Sequence, residues 1–225
     1  MIWTDFLLSC RLALVTSALL AVLGLPLAWW LARTKWRGRI FLESIVSLPL
    51  VLPPTVIGFY VLVILGPRTA LGAAFERIFG HPLPFTFAGL VTASLLYSLP
   101  FAVQPFTAAF RSIDPELLDA ARTSGATYLS AIRRIAIPLA WPGLLSGFVL
   151  SFAHTLGEFG VVLMVGGNIP GVTRTVSVAI YDSVQSLDYA QAGRTAAVLL
   201  VVSFCVLSVT YALQRDFRLG LQRWR

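Results

Sequence analysis

Five stretches of the chain, at residues 6–32, 40–65, 86–110, 144–165 and 195–214, are apolar and almost free of charge. A helix needs about 20 such residues to cross a hydrocarbon core. Only 12% of the 225 residues are charged, about half the fraction usual for a soluble domain. The expected fold class is therefore all-α, a polytopic membrane protein of five spans. The apolar runs are continuous and do not alternate, which speaks against a β-barrel. The first run is longer than a signal-peptide core and lacks a basic leader or a cleavage site, so it reads as a retained span.

The net charge of +7 would suggest nucleic acid in a soluble protein. Here the basic residues sit in short connections and orient the chain instead. Segments 33–39 and 111–143 and the tail 215–225 carry four cations each, whereas 66–85 and 166–194 carry two each. Positive-inside bias then places the loop 111–143 and the C-terminus in the cytoplasm and the N-terminus outside. A sixth span through "VTRTVSVAIYDSVQSL" is disfavoured by its charges. Cys10 and Cys205 lie in apolar runs, and no Cys/His cluster points to a disulfide or a metal.

Span two contains Pro49, Pro53 and Pro54, and span three contains Pro100 and Pro105. Each proline removes a backbone donor and frees a carbonyl. Such backbone survives at membrane depth only against protein or a water-lined cavity. Pro53, Pro54 and Pro100 are thus candidates for the transport path or its gate; a packed kink is the plainer alternative. Glu158 is an intramembrane acid and joins the candidates together with Phe159. A structural or gating partnership for Glu158 is favoured over a substrate ligand, for example with a backbone donor freed by a proline. His154, four residues earlier on the same helical face, reads as a satisfied buried histidine, with a proton relay as the alternative. Gly157 and Gly160 would permit close helix approach. Arg11 would snorkel to the interface. Arg174 and Arg194 are the outer cations, placed to meet a substrate or a docking protein. Val176, Ile180, Val184 and Leu187 would form an apolar stripe on a short outer helix.

Residues 111–143 are unlike the rest. Asp114 can cap a helix, Pro115 suits its first position, and Glu116 favours its first turn. Leu117, Leu118 and Ala121 give an apolar edge, and Gly125 suits a break. Thr127 can open a second helix with Leu129, Ile132, Ile135 and Ala136 on one side, stopped by Pro138 and Pro142 before span four. Its acids fit an anionic leaflet poorly, so a short helix presented to a protein groove is the better reading than a helix lying on the membrane.

"LLDAARTSGATYLSAIRRIAIP" resembles the cytoplasmic loop of ABC importer permeases, which reads E-A-A, three residues, G, nine residues, I-x-L-P. Asp119, Ala120, Ala121, Gly125, Ile135 and Pro138 stand at the matching positions, with Asp for Glu at 119 and Ile for Leu at 137. The resemblance implies one ABC importer transmembrane domain over residues 1–225, an ATPase-coupling loop at 111–143 and a basic cytoplasmic tail at 215–225. It implies a permease of a prokaryotic inner membrane that works as a homodimer with an ABC ATPase subunit and an extracytoplasmic oxyanion-binding protein. "RTKWRGRIFLESIVSLPLVLPPTVIGFYVL" and "LGEFGVVLMVGGNIPGVTRT" resemble the oxyanion permeases of this group, the molybdate permeases most of all, with sulfate, thiosulfate and tungstate permeases as alternatives. An ion-gradient-driven transporter or channel using His154 and Glu158 is the alternative of another class. The chain has no G-x-x-x-x-G-K-[ST] loop. No cofactor is expected in it; ATP and Mg would be bound by the partner subunit, and this chain is not expected to be an enzyme.

Overall fold

In the computed structural model, which describes residues 2–222, the described residues form helices and no strands. The order is α1 (Ile2–Arg33), α2 (Arg39–Ser47), α3 (Pro54–Leu65), α4 (Ala70–Phe79), α5 (Phe87–Arg111), α6 (Pro115–Thr123), α7 (Tyr128–Ala131), α8 (Ile137–Gly157), α9 (Gly160–Gly166), α10 (Val176–Gln185) and α11 (Tyr189–Gln222). Four helices are long and apolar enough to span a membrane, and a fifth span is possible as a bent pair. Of the basic tail expected at 215–225, residues 223–225 lie outside the described residues and the remainder enters only as the backbone of α11.

Span two is broken where its prolines suggest: Arg39–Leu50 and Pro54–Leu65 are bent by 108°. Pro53 is extended (ψ 137°) and Pro54 restarts the helix at its first position, where a missing donor costs nothing. Span four does not begin at residue 144, and Pro138 and Pro142 do not stop the preceding helix. One rod runs from Tyr128 to Gly157. The turn before Pro138 is π-helical, Ile132–Ala136, with Ile137 N–H reaching back to Ile132 O. That looser turn re-pairs backbone where the proline ring would otherwise clash.

The core is built by α1, α5 and α8. Val103 and Phe106 of α5 meet α1 at Gly24, where a Cβ would come 3.3 Å from Val103. Small residues of α8 take the other side. A Cβ at Gly143 would lie 2.5 Å from Ala109 Cβ, and one at Gly147 would lie 2.5 Å from the Phe106 ring. This is close approach through a G-x-x-x-G edge, the means by which helices pack in lipid. Pro100 and Pro105 do not break α5, which is continuous over 25 residues.

Candidate functional site

Two helix breaks meet beside this core. α8 ends at Gly157, Glu158 is extended (φ −64°, ψ 138°), and α9 starts at Gly160. The Pro53–Pro54 break packs directly on it, since a Cβ at Gly160 would sit 2.9 Å from Pro54 Cβ. Farther along, a Cβ at Gly58 of α3 would sit 2.7 Å from Met164 Cβ of α9. Gly160 thus serves close approach as expected. Gly157 does not, because nothing lies within 4 Å of its Cβ position. Pro53, Pro54, Glu158 and Phe159 therefore belong to one locus, whereas Pro100 lies buried within the unbroken α5.

Glu158 is 4% exposed. Its partner is not a backbone donor freed by proline, as expected, but a side chain: Ser94 Oγ of α5 donates to Glu158 Oε2 at 2.9 Å. Glu158 Oε1 has no hydrogen-bond partner among the described residues. One turn along α5, Ser98 Oγ lies 2.9 Å from His154 Nδ1 and 2.8 Å from Thr155 Oγ1. The His154 ring stacks on Phe101, centroids 3.8 Å apart. His154 is thus the satisfied histidine favoured from sequence. Because α8 ends between them, His154 and Glu158 do not share a helical face; each has its own serine hydroxyl. Ser94, Ser98 and Thr155 escaped the sequence reading. Their available signal was a pair of serines at i and i+4 in an otherwise apolar span, where a hydroxyl needs a partner.

At the end of the bundle near Asp5, Arg174 is not a free cation awaiting an anion. Its Nη2 lies 3.1 Å and its Nε 3.2 Å from Asp5 Oδ2, with Asp182 at 3.9 Å. The Arg174 and Asp5 side chains are only 11% and 3% exposed. Ser9 Oγ accepts from Val176 N–H at 2.8 Å and fastens the same corner. Arg194 remains exposed and folds back on Ala190 O at 3.2 Å. Arg11, also exposed, has Cζ 4.4 Å above the Phe87 ring. The stripe expected on α10, facing the membrane surface, loses its last member, since α10 ends at Gln185. Val176 is buried, but Val184 and Leu187 are 41% and 72% exposed, and Leu187 lies beyond the helix at φ 61°.

At the opposite end the loop 111–143 forms the expected hinged element. Asp114 caps α6 by accepting from Glu116 N–H at 2.9 Å. Gly125 follows at φ 89°, a left-handed conformation that favours glycine. Thr127 then caps α7 through Ser130 N–H. No residue of the nine in α6 is buried. Leu118 and Ala121 turn partly inward, but Leu117 is 49% exposed and does not share their edge. Asp119 and Ala120 are exposed. Beside the exposed helix, Trp29 Nε1 of α1 donates to Tyr128 Oη of α7 at 2.7 Å. Arg33 Nη2 donates to Phe110 O and Ile113 O, both at 3.1 Å. Ile135 is half-buried, and Pro138 stands at the start of α8.

Residues 24–219 match the family described as binding-protein-dependent transport system inner membrane component. The chain is 50% identical over 214 residues to a molybdenum transport system permease protein of Azotobacter vinelandii, covering 95% of this chain and 94% of that protein. It is 34% identical over 205 residues to a sulfate transport system permease protein of Salmonella typhimurium, covering 91% and 74%. Its fold is like that of a methionine ABC transporter chain, with TM-score 0.72, 16% identity and 96% of each chain covered.

Proposed function

We propose a molybdate permease: the chain belongs to the binding-protein-dependent transport system inner membrane components, and the substrate reading rests on the 50% identity with a molybdenum permease over nearly the whole of both chains. In this reading the chain binds no ATP and makes no bond. It gives a molybdate dianion alternating access across the inner membrane. A separate ABC ATPase subunit holds ATP and Mg, and an extracytoplasmic binding protein delivers the ion.

α6 is the coupling helix of this proposal. It carries Asp119, Ala120 and Ala121 on a helix with no buried residue, so its surface is available to a groove of the ATPase. Gly125 is its hinge, and the continuous rod from Tyr128 to Gly157 transmits its movement to the Glu158 break. Ile135 and Pro138 lie on that rod. The paired breaks at Pro53–Pro54 and Glu158–Phe159 are the gate, because segments already free of helical bonding move without breaking a backbone ladder. One coupling helix per chain calls for two chains, a homodimer, to serve two ATPases. The cation bias places the N-terminus outside and the C-terminus in the cytoplasm.

The test is labelled molybdate uptake into vesicles holding the chain, its ATPase and its binding protein, with sulfate or tungstate as competitor. ATP-dependent uptake blocked by tungstate and spared by sulfate is expected. Equal block by sulfate would move the substrate to sulfate. Uptake that follows a proton gradient without ATP would refute the proposal and favour the gradient-driven alternative.

A further inference from the structure

Behind α6 lies a cavity of about 170 Å³ lined by Trp29, Arg33, Leu118, Asp119, Arg122 and Tyr128, among others. It is large enough for an ion and some hydration, a water taking about 30 Å³. Arg33 is its unusual member. The guanidinium is held by two backbone carbonyls and lies 5.2 Å from the Trp29 ring centroid. Its Nε is buried and has no hydrogen-bond partner among the described residues. No carboxylate pairs with Arg33 among those residues either. Arg33 is half-buried; carbonyls and a ring face satisfy its donors but do not neutralise its charge, and a partly desolvated charge without a counter-charge favours an anion.

The other polar groups also favour an anion. The Tyr128 hydroxyl oxygen already accepts from Trp29, so its own proton is free to be donated. Arg122 contributes a second guanidinium. Asp119 is the one acid in the lining, and it leans on Arg122 at 3.9 Å with both side chains well exposed. Such a surface pair holds its partners weakly. Two cations against one carboxylate leave the cavity net positive.

We propose that this cavity binds a tetrahedral oxyanion, accepting hydrogen bonds from the Arg33 and Arg122 guanidinium groups and the Tyr128 hydroxyl. Arg33 ends α1, Arg122 lies in α6 and Tyr128 opens α7. The ion thus ties the coupling element to a membrane span, and its occupancy sets how firmly α6 is braced. The inference rests on the proposed function only for the role of α6; the site itself depends on no particular cargo. Two sources supply this chemistry at a cytoplasmic membrane edge: a free inorganic oxyanion and a phospholipid headgroup.

The test uses the full chain alone, in a phosphate-free maltoside detergent without nucleotide. Inorganic phosphate, molybdate and a short-chain phosphatidylglycerol are titrated separately by calorimetry. Saturable binding by wild type is expected, with Arg33→Gln weakening it at least about tenfold, the scale of one charge-assisted bond. Arg33 also supports the fold through Phe110 and Ile113, so exposed variants decide the matter. Arg122→Gln should weaken binding several-fold, and Asp119→Asn, which removes the repelling acid, should tighten it. Binding of phosphate or molybdate assigns the site to a free ion, and binding of the lipid alone assigns it to a headgroup. No binding of any probe, or equal affinities across the three variants and wild type, overturns the proposal. Uptake of molybdate is measured apart from this, so failure of the site and failure of the substrate reading are distinguishable.

Discussion

Replacing Gly147 by valine should loosen the α5–α8 contact on which the core depends. A Cβ there would lie 2.5 and 2.7 Å from two Phe106 ring carbons and 2.9 Å from Ala102 O. Carbon atoms pack best at about 3.5–4.0 Å, so something must move by about 1 Å. The Phe106 ring has little freedom to do so: it is 1% exposed, and its other edge lies about 3.7 Å from where a Cβ on Gly24 of α1 would stand. Overpacking of this kind costs about 1–3 kcal/mol. The helix gains less than about 1 kcal/mol from losing a glycine. A net loss of about 2 kcal/mol follows for Gly147→Val. Gly157→Ala is the control, because nothing lies within 4 Å of its Cβ position; it should be neutral or slightly stabilising. Both are measured by the midpoint of reversible denaturation in mixed micelles. Equal stability of Gly147→Val and wild type, or a loss at Gly157→Ala matching it, would refute this packing.

Arg174→Ala strips the buried Asp5 carboxylate of its cation and should cost about 3–5 kcal/mol, whereas Asp5→Asn with Arg174→Gln should recover much of that in the same denaturation assay. Ser94→Ala leaves both oxygens of the buried Glu158 carboxyl without a partner and should cost about 1–3 kcal/mol; Glu158→Gln, which keeps the Ser94 bond, should cost less. Asp114→Ala removes the α6 cap and should speed amide exchange over residues 115–123 by about fivefold, equivalent to about 1 kcal/mol. Gly125→Val forces a β-branched residue to φ 89°, which costs of order 1–2 kcal/mol, and should lower uptake and speed amide exchange over residues 115–123.

The caps and hinge of the loop were legible in the sequence, because caps and left-handed turns are local. Asp114, Gly125 and Thr127 need only their neighbours to act. The existence of the spans was legible for a similar reason, since an apolar run declares itself. Their shape was not. Pro53–Pro54 and Pro100 look alike in sequence, yet one pair bends the chain by 108° and the other proline sits inside an unbroken helix. The difference lies in what surrounds the freed carbonyls, which is tertiary information. Long-range pairings were equally hidden. Arg174 looked like a free outer cation because its partner, Asp5, stands 169 residues away. Glu158 was marked by its charge, but Ser94 and Ser98 carried no charge to mark them.

In the proposed function α6 joins the membrane helices to an ATPase. Ala120 tests it most directly, being exposed on a helix with no buried residue and thus dispensable to the fold. ATP hydrolysis and molybdate uptake would be measured in the same proteoliposomes for wild type and Ala120→Trp. An unchanged unfolding midpoint with uptake abolished is expected, because a bulky ring on α6 would keep it from seating in the ATPase groove. Uptake and hydrolysis both at wild-type levels would contradict it.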